Sequence, residues 1–187
     1  MLDYKIVSSE SEELILVDET DIELGHLSKQ ACHDGAGILH RAFSLFVFNA
    51  DQELLLQKRS AEKRLWPLYW SNSCCSHPRK GESMDVATVR RLQEELGIQA
   101  SLEFVYKFSY QAQFGEVGSE HELCSVYLGR TDQSYSMNTN EIAEARYVSR
   151  RQLDQELEAN PDEFTPWFKM EWEQLCNKYS DKISAYA

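Results

Sequence analysis

The sequence predicts an α+β fold, an α/β sandwich in which helices flank a mixed β-sheet. Three observations support this fold class. Short apolar runs typical of strands recur along the 187-residue chain. Two segments carry apolar residues at helical spacing between recognisable helix ends. The strand-like and helix-like segments do not alternate regularly, as they would in a parallel sheet built from repeated strand–helix–strand units.

Most strands are predicted from apolar runs that are bounded by polar residues or glycine. The polar residues 49–51 separate two of these runs in a hairpin-like pattern. The predicted strands cover residues 14–17, 43–48, 54–56, 104–110, 123–128 and 145–148, with one more short strand within 66–75.

Two helices have clear ends in the sequence. The first covers residues 85–96, with Ser83 as the N-cap and Gly97 as the C-terminal stop. The second is predicted to begin at Pro166, with Thr165 as its N-cap. The apolar positions predicted to face the core are Val86, Val89, Leu92 and Leu96 in the first helix and Phe168, Trp172 and Leu175 in the second.

The other face of the first helix is charged, and its pattern has two interpretations. Arg91 stands three residues before Glu94 and four before Glu95, so the three side chains are neighbours. The pattern alone favours a solvated face with ion pairs. The alternative is that these carboxylates hold Mg²⁺ and an arginine meets a phosphate, because Mg²⁺ prefers oxygen ligands shared with substrate phosphates.

Composition limits the partners and the compartment. Nineteen basic and 31 acidic residues give a net charge of −12, which argues against nucleic acid and anionic lipid as partners. The longest apolar stretch, residues 42–48, is too short to insert across a membrane. Five irregularly spaced cysteines indicate a reducing compartment. We therefore expect a cytoplasmic, monomeric protein whose residues 1–187 form a single domain, with about 20 N-terminal residues and the tail after residue 177 peripheral.

Three histidines and two glutamates form a candidate metal site. Glu120 and Glu122 are two residues apart, so on a strand both carboxylates project from the same face. Imidazoles and carboxylates together are ligands that Mn²⁺, Fe²⁺, Co²⁺ or Zn²⁺ accepts. The histidines are His33, His40 and His77. Sequence distance gives no evidence that the five side chains converge, and for each histidine taken alone the pattern favours a structural or surface residue.

The first helix and the residues before it resemble the Nudix box, G-x5-E-x7-R-E-U-x-E-E-x-G-U. The matching positions are Glu82, Arg90, Leu92, Glu94, Glu95, Gly97 and Ile98. Ser76 replaces the first Gly of the box, and Arg91 replaces the Glu of its R-E-U segment. In Nudix hydrolases that Glu belongs to the metal-binding acidic cluster, so its replacement argues against diphosphate hydrolysis.

Residues 24–167 resemble the type 1 isopentenyl-diphosphate isomerases, a flavin-independent family with a Nudix-like fold. The motifs that carry the resemblance are His33-x6-His40, Trp66-Pro67, Asn72-Ser73-Cys74-Cys75-Ser76-His77-Pro78, Arg90-Arg91, Glu95-Leu96-Gly97, Glu120-x-Glu122 and Thr165-Pro166-Trp167. The resemblance implies that the chain interconverts isopentenyl and dimethylallyl diphosphate in isoprenoid biosynthesis. This isomerase reaction protonates the double bond, passes through a tertiary carbocation and removes a proton from the other side.

The resemblance also implies roles for individual residues. Cys75 matches the catalytic cysteine, Glu122 the catalytic glutamate with Tyr110 as its partner, and Trp167 the aromatic ring that faces the carbocation. The substrate diphosphate would be bound by Arg59, Lys63 and Arg91. Successive strand residues point to opposite faces, so only one of Cys74 and Cys75 can face a pocket, and motif order favours Cys75.

Two metal sites are implied in the same way. The protein-bound divalent metal, Mn²⁺, Zn²⁺ or Mg²⁺, would be held by His33, His40, His77, Glu120 and Glu122. A second ion, Mg²⁺ bound with the diphosphate, would contact Glu95 and the backbone carbonyl at Cys75. No flavin is expected.

Two other functions remain as alternatives. A Nudix diphosphohydrolase would release phosphate and would depend on a glutamate-rich helix. A non-catalytic protein with a structural zinc site would use a closed set of Cys and His ligands, and neither a C-x2-C pair nor a purely Cys/His ligand set is present.

Overall fold

The protein was analysed as a computed structural model that describes residues 6–187. Its elements in chain order are β1 Glu13–Val17, β2 Glu23–Ser28, α1 Lys29–His33, β3 His40–Phe48, β4 Leu54–Arg59, β5 Trp70–Ser71, β6 Cys74–Ser76, α2 Met84–Leu96, β7 Ser101–Phe114, β8 Gly118–Arg130, β9 Ile142–Val148, α3 Arg150–Ala159, a 3-10 turn Pro161–Glu163, α4 Pro166–Lys178 and α5 Ser180–Ile183. Within these described residues, every helix is too short or too polar to cross a bilayer.

The sheet is mixed and is centred on β3. Strand β8 lies parallel to β3 along the whole length of β3, from the pair His40–Glu122 to the pair Phe48–Arg130. Strand β6 pairs with β3 in the antiparallel sense. Strands β7 and β8 form a long antiparallel hairpin, and β9 pairs with β4. This arrangement confirms the predicted mixed sheet flanked by helices.

Alternate residues of β3 build two separate core layers, as the two-residue period of a strand requires. Phe43, Leu45 and Val47 pack with the buried residues of α2 on one face of the sheet. Ala42 and Phe46 pack on the opposite face with the aromatic residues of α4. The sheet is therefore covered on both sides, which leaves its strand ends as the place where a polar site can form.

Helix α2 has the predicted ends, and of its four predicted inward positions Leu92 and Leu96 are buried. The Ser83 hydroxyl accepts a hydrogen bond from the backbone N–H of Val86, and Gly97 adopts the left-handed conformation that ends the helix. Val86 and Val89, predicted to face the core, are 58% and 52% exposed. The helix is rotated so that the charged pair described below lies inside instead.

Helix α4 begins at Pro166 as predicted, but Thr165 does not act as a side-chain cap. The Thr165 hydroxyl lies 3.0 Å from the Ser71 hydroxyl, so it links the start of α4 to β5. The backbone N–H of Thr165 also donates to the Trp70 carbonyl at 2.9 Å. These contacts fix the first turn of α4, including Trp167, against the sheet.

Candidate active site

The predicted histidines and glutamates converge at one end of the central strands. Their ligand atoms all lie within 4.8 Å of one another. His40 is the first residue of β3 and is paired in register with Glu122 of β8. His33 ends α1, His77 follows β6, and Glu120 shares a strand face with Glu122. The sheet register therefore brings together residues that are up to 89 positions apart in the sequence.

Gly118 allows α1 to approach β8 closely enough for this convergence. A Cβ atom at this position would lie 2.3 Å from the carbonyl oxygen of His33, too close for any side chain. Gly118 also has a φ of +158°, near the extended range. We infer that the close contact, not the backbone conformation, requires glycine here, since it sets the depth at which His33 meets Glu120.

Backbone carbonyls orient two of the imidazoles. The Nδ1 atom of His33 donates to the carbonyl of Lys29 at 2.7 Å. The Nδ1 atom of His40 donates to the carbonyl of Ile38, also at 2.7 Å. In the neutral ring these bonds leave the Nε2 lone pairs pointing into the cluster, which is the orientation that metal-ligating histidines adopt.

The Nε2 atoms face the two carboxylates. His33 Nε2 lies 2.8 Å from Glu120 Oε2, and His77 Nε2 lies 2.8 Å from Glu122 Oε1. His40 Nε2 is 3.8 Å from Glu122 Oε1 and, among the described residues, this buried atom has no hydrogen-bond partner. Three inward-facing nitrogens, one of them without a partner, and two carboxylates fit a divalent cation of the borderline class.

Burial and mutual charge separate the pKa values of the five groups. Burial lowers the pKa of His40 to about 3, and the neighbouring His77 adds to this effect. Burial also opposes the charged form of His33, but Glu120 outweighs it and raises the pKa of His33 to about 9. Burial and the Glu120 charge raise the pKa of Glu122 to about 7. Glu122 is thus the carboxyl that can carry a proton near neutrality.

Tyr110 lies directly against Glu122. Its hydroxyl donates to Glu122 Oε2 at 2.6 Å, across the β7–β8 hairpin in which the two residues are paired. Burial, followed by the Glu122 charge, raises the pKa of Tyr110 well above its ordinary value. Tyr110 therefore keeps its proton and remains a hydrogen-bond donor to the carboxyl group.

The two adjacent cysteines face opposite sides of β6. Cys74 is fully buried and packs with α2 in the core layer that contains Phe43. Cys75 lines a cavity of about 400 Å³ together with Tyr110, Glu122 and Trp167. Burial raises the pKa of Cys75 to about 12, although the positive charge of Arg59 opposes this shift.

Trp167 forms a wall of the same cavity. Its indole N–H donates to the Ser71 hydroxyl at 3.1 Å, and its ring centroid lies 5.3 Å from that of Trp66 in an edge-to-face arrangement. Tyr110 lies 6.3 Å away on another side. The indole is therefore held in one orientation by contacts from three elements of the fold.

Cationic side chains line the other end of the cavity, and each is already held in place. Arg59 donates to the carbonyls of Leu65 and Trp66 at 2.9 and 3.0 Å, and its guanidinium lies 5.2 Å from the Trp167 ring centroid. Lys63 forms an ion pair with Glu141. Arg59 thus reaches the cavity from the last position of β4, and Lys63 from the segment that follows it.

Arg91 and Glu95 form the charged pair on the inner face of α2. They are 2% and 3% exposed and pair directly with each other. Arg91 also donates to the backbone carbonyl of Val7 at 2.7 Å and lies 3.4 Å from Glu141. Arg91 lines the cavity, whereas Glu95 lies behind it and outside the His/Glu cluster. Gln57 donates to the second oxygen of Glu95 at 3.1 Å.

Several cavity residues carry no sequence signal of the kind used above. Lys29 lines the cavity from α1, and its ammonium contacts the Ser8 hydroxyl and lies 3.7 Å from Glu10. Glu141, from the turn before β9, bridges Lys63 and Arg91.

Solved structures with this fold share it at low sequence identity. A protein of Deinococcus radiodurans aligns with a TM-score of 0.65 at 23% identity, covering 80% of this chain and 90% of its own. A MutT protein of Methanosarcina mazei aligns with a TM-score of 0.62 at 18% identity, covering 75% and 95%. A family model described as the NUDIX domain matches residues 38–168. The fold and this match place the chain in the NUDIX domain family.

Sequence relatives define the branch of that family. The protein "Isopentenyl-diphosphate Delta-isomerase 1" of Photorhabdus laumondii is 41% identical over 92% of this chain and 99% of its own length. An isopentenyl-diphosphate Delta-isomerase of Serratia proteamaculans is 43% identical over 84% of this chain and 87% of its own. A chloroplastic relative of Arabidopsis thaliana with the same activity in its name is 38% identical over 92% of this chain and 69% of its own. The chain belongs to the isopentenyl-diphosphate Delta-isomerase family.

Proposed function

We propose that this enzyme interconverts isopentenyl and dimethylallyl diphosphate by adding a proton on one side of the cavity and removing another on the opposite side. The observation that carries this proposal is that two proton-active groups line one cavity. Glu122, with Tyr110 bonded to it, supplies one, and the Cys75 thiol supplies the other. Membership of the isopentenyl-diphosphate Delta-isomerase family supports the same activity.

The two groups must start the reaction in opposite protonation states. The Glu122–Tyr110 pair donates a proton to the terminal carbon of the alkene, which leaves a positive charge on the tertiary carbon. The Cys75 side chain, ionised beforehand by loss of its thiol proton to solvent, then takes a proton from the carbon beside the diphosphate arm, and the new double bond forms. Burial raises the pKa of Cys75 to about 12, so its thiolate is a strong base once it has formed. Because a cation in the His/Glu cluster would favour ionised Glu122, the proton would pass through the Tyr110 hydroxyl that is hydrogen-bonded to it.

The aromatic wall protects the charged intermediate in this scheme. The π face of an indole attracts a cation by about 2 kcal/mol or more when water is excluded. Trp167 is only 2% exposed and lines the cavity beside Cys75 and Tyr110. We therefore assign to Trp167 the stabilisation of the tertiary carbocation, with Trp66 holding its ring in position.

The diphosphate belongs at the cationic end. Arg59, Lys63 and Arg91 line the cavity there, and their positive charges persist locally within a chain of net charge −12. Arginine guanidinium groups suit phosphate oxygens because they offer several fixed N–H donors. The substrate is thus a small prenyl diphosphate whose alkene lies toward Glu122 and whose charged arm lies toward Arg91.

The metal assignments form part of the same proposal. The five-residue His/Glu cluster would hold one divalent ion, Mn²⁺, Zn²⁺ or Mg²⁺, and a bound cation there would favour the ionised form of the nearby carboxylates. Glu95 and the Cys75 carbonyl would contact a Mg²⁺ ion that arrives with the diphosphate. Measurement of metal content in purified protein tests the first site. We expect one divalent ion per chain, and loss of that ion in His40→Gln but not in His121→Gln.

An isomerase assay in deuterated water tests the reaction itself. Isopentenyl diphosphate and Mg²⁺ are added to the protein, and the product is followed by proton NMR. Deuterium in a methyl group of dimethylallyl diphosphate, with the diphosphate intact, is the expected result. Released phosphate would identify a diphosphohydrolase instead, and an unchanged substrate with Mg²⁺ and Mn²⁺ both present would favour a metal-binding protein without catalysis.

We also propose that the enzyme acts as a monomer in the cytoplasm. All five cysteines lie within the described residues and are free thiols, which suits a reducing compartment. Light scattering of the purified protein tests the monomer, and a dimer would overturn it.

A further inference from the structure

A carboxyl group lies buried on α4, next to the aromatic wall of the cavity. Glu171 is 0% exposed. It stands four residues after Trp167, so the two side chains share one face of the helix, one turn apart. Nothing in the proposed reaction uses this carboxyl group, and a fully buried glutamate is uncommon in proteins unless it is paired.

Glu171 contacts the strands that carry the cavity residues. Its Oε1 atom accepts a hydrogen bond from the Cys124 thiol at 3.5 Å, and the Cys124 sulfur lies 3.5 Å from the Ser44 hydroxyl oxygen. Ser44 is paired in register with Cys75 across the β3–β6 ladder. A short row of polar side chains therefore connects Glu171 with the strand position opposite Cys75.

The surroundings of Glu171 favour its neutral form. Among the described residues it forms no ion pair, and its Oε2 atom has no hydrogen-bond partner. Burial raises the pKa of Glu171 to about 8, although hydrogen bonds from Ser44 and Cys124 oppose this shift. The titratable groups that face it are all acids: Tyr106 from β7, Cys124 and Glu122 from β8, and Cys75 from β6.

A neutral buried carboxyl group reduces the stability of the fold at alkaline pH. Burial raises the pKa of Glu171 from its ordinary value of about 4.5 to about 8. The folded state therefore binds more protons than the unfolded chain between these values, and stability falls as pH rises from about 4.5 through 8. Replacement of Glu171 by a neutral side chain removes this loss. A residue that is unfavourable for stability is a candidate for a functional role.

We propose that Glu171, as a neutral carboxylic acid, is a positioning residue for the Cys75 side of the reaction, acting through Ser44. This inference rests on the proposed function, because it assumes that Cys75 exchanges protons with the substrate. In the neutral form Glu171 accepts the hydrogen bond of the Cys124 thiol without placing a charge beside the side chains that lead to Ser44. In the ionised form it would place a negative charge beside these groups, next to the strand position that is paired with Cys75.

Two substitutions at this position test the proposal. Glu171→Leu removes the polar group, and Glu171→Gln keeps a neutral hydrogen-bonding group of nearly the same shape. The control is Glu173→Gln, which removes an equal charge from the exposed face of the same helix. Melting temperature, kcat and KM are measured between pH 6 and about 9.5, a range that spans the pKa of about 8.

We expect Glu171→Leu to melt at a higher temperature than the unchanged protein at pH 8.5, yet to lose about tenfold in kcat with KM unchanged. Glu171→Gln should keep kcat within about threefold and retain activity above pH 8, where the unchanged enzyme declines as Glu171 ionises. A higher melting temperature together with a lower kcat is a result that a purely structural role does not produce.

Two results would overturn the inference. The first is a normal kcat and pH profile in both variants, and the second is a kcat that falls only in proportion to a lowered melting temperature. If the wild-type protein does not isomerise the substrate, the proposed function itself is wrong. If it does isomerise and the variants behave like Glu173→Gln, only the role of Glu171 fails.

Discussion

The two ends of the cavity are built in different ways. At the His/Glu end, most side chains come from strands or strand termini, and backbone carbonyls orient two of the imidazoles. At the cationic end, the side chains come from the last residue of β4, from a loop, from α2 and from α1, and carboxylates, backbone carbonyls and a hydroxyl hold them. In the proposed reaction the first end transfers the proton and binds the metal, whereas the second end binds the diphosphate. Substitutions at the first end should therefore change kcat, and substitutions at the second end should change KM.

The largest effect is expected at the His/Glu end. Glu122→Gln removes the carboxyl that titrates near neutrality, so kcat should fall about 10³-fold or more. Steady-state kinetics of the isomerase reaction measure this. Glu116→Gln, which removes the same charge from an exposed turn, is the control. A Glu122→Gln variant with nearly normal kcat would show that the proton comes from elsewhere.

The next effect concerns the cysteine opposite Glu122. Cys75→Ala removes the proposed base and should lower kcat about 10²-fold or more, with little change in KM. Cys74→Ala serves as the matched control because its thiol lies on the other face of β6, in the core. It should retain most activity and lose stability instead, which thermal unfolding measures. An inactive Cys74→Ala together with an active Cys75→Ala would reverse the assignment.

A smaller effect is expected at Trp167, which lies between the two ends. Trp167→Ala removes both the π face and its packing, so kcat should fall about 30-fold, the equivalent of about 2 kcal/mol. Trp167→Phe keeps a π face and should lose only about threefold. Comparison of kcat for the two variants decides the role of the ring, since equal losses would leave packing as the whole explanation.

The smallest effect is expected at the cationic end. Lys63→Met should raise KM about tenfold and leave kcat nearly unchanged, because the lost contact binds the diphosphate in both the ground state and the transition state. Lys80→Met, which removes a charge from an exposed ion pair with Glu13, is the control. A fall in kcat at constant KM would remove the distinction between the two ends.

The fold was largely predictable because its signals are local. Strand periodicity and the ends of α2 and α4 depend on neighbouring residues. The predicted inner face of α2 was confirmed for Leu92 and Leu96 but wrong for Val86 and Val89, because the structure buries Arg91 and Glu95 and leaves the two valines exposed. Arg91 and Glu95 form an ion pair with each other and hydrogen bonds with residues that are distant in the sequence. A local sequence pattern does not contain these contacts.

The site was predictable only in part. The strand pattern placed Glu120 and Glu122 on one face, but the convergence of the histidines depends on the parallel register of β3 and β8. The resemblance to a known family supplied that grouping. Lys29 and Glu141 were missed because each is a single charged residue without motif or spacing, and only the fold brings them to the cavity.

The contact between Arg91 and the carbonyl of Val7 has a practical consequence. Residues Ile6, Ser8 and Glu10 line the cavity, so the segment before β1 forms part of its wall. An insertion or deletion within residues 6–10 would therefore change the shape of the cavity. Kinetic comparisons of variants should use protein in which this segment is unaltered.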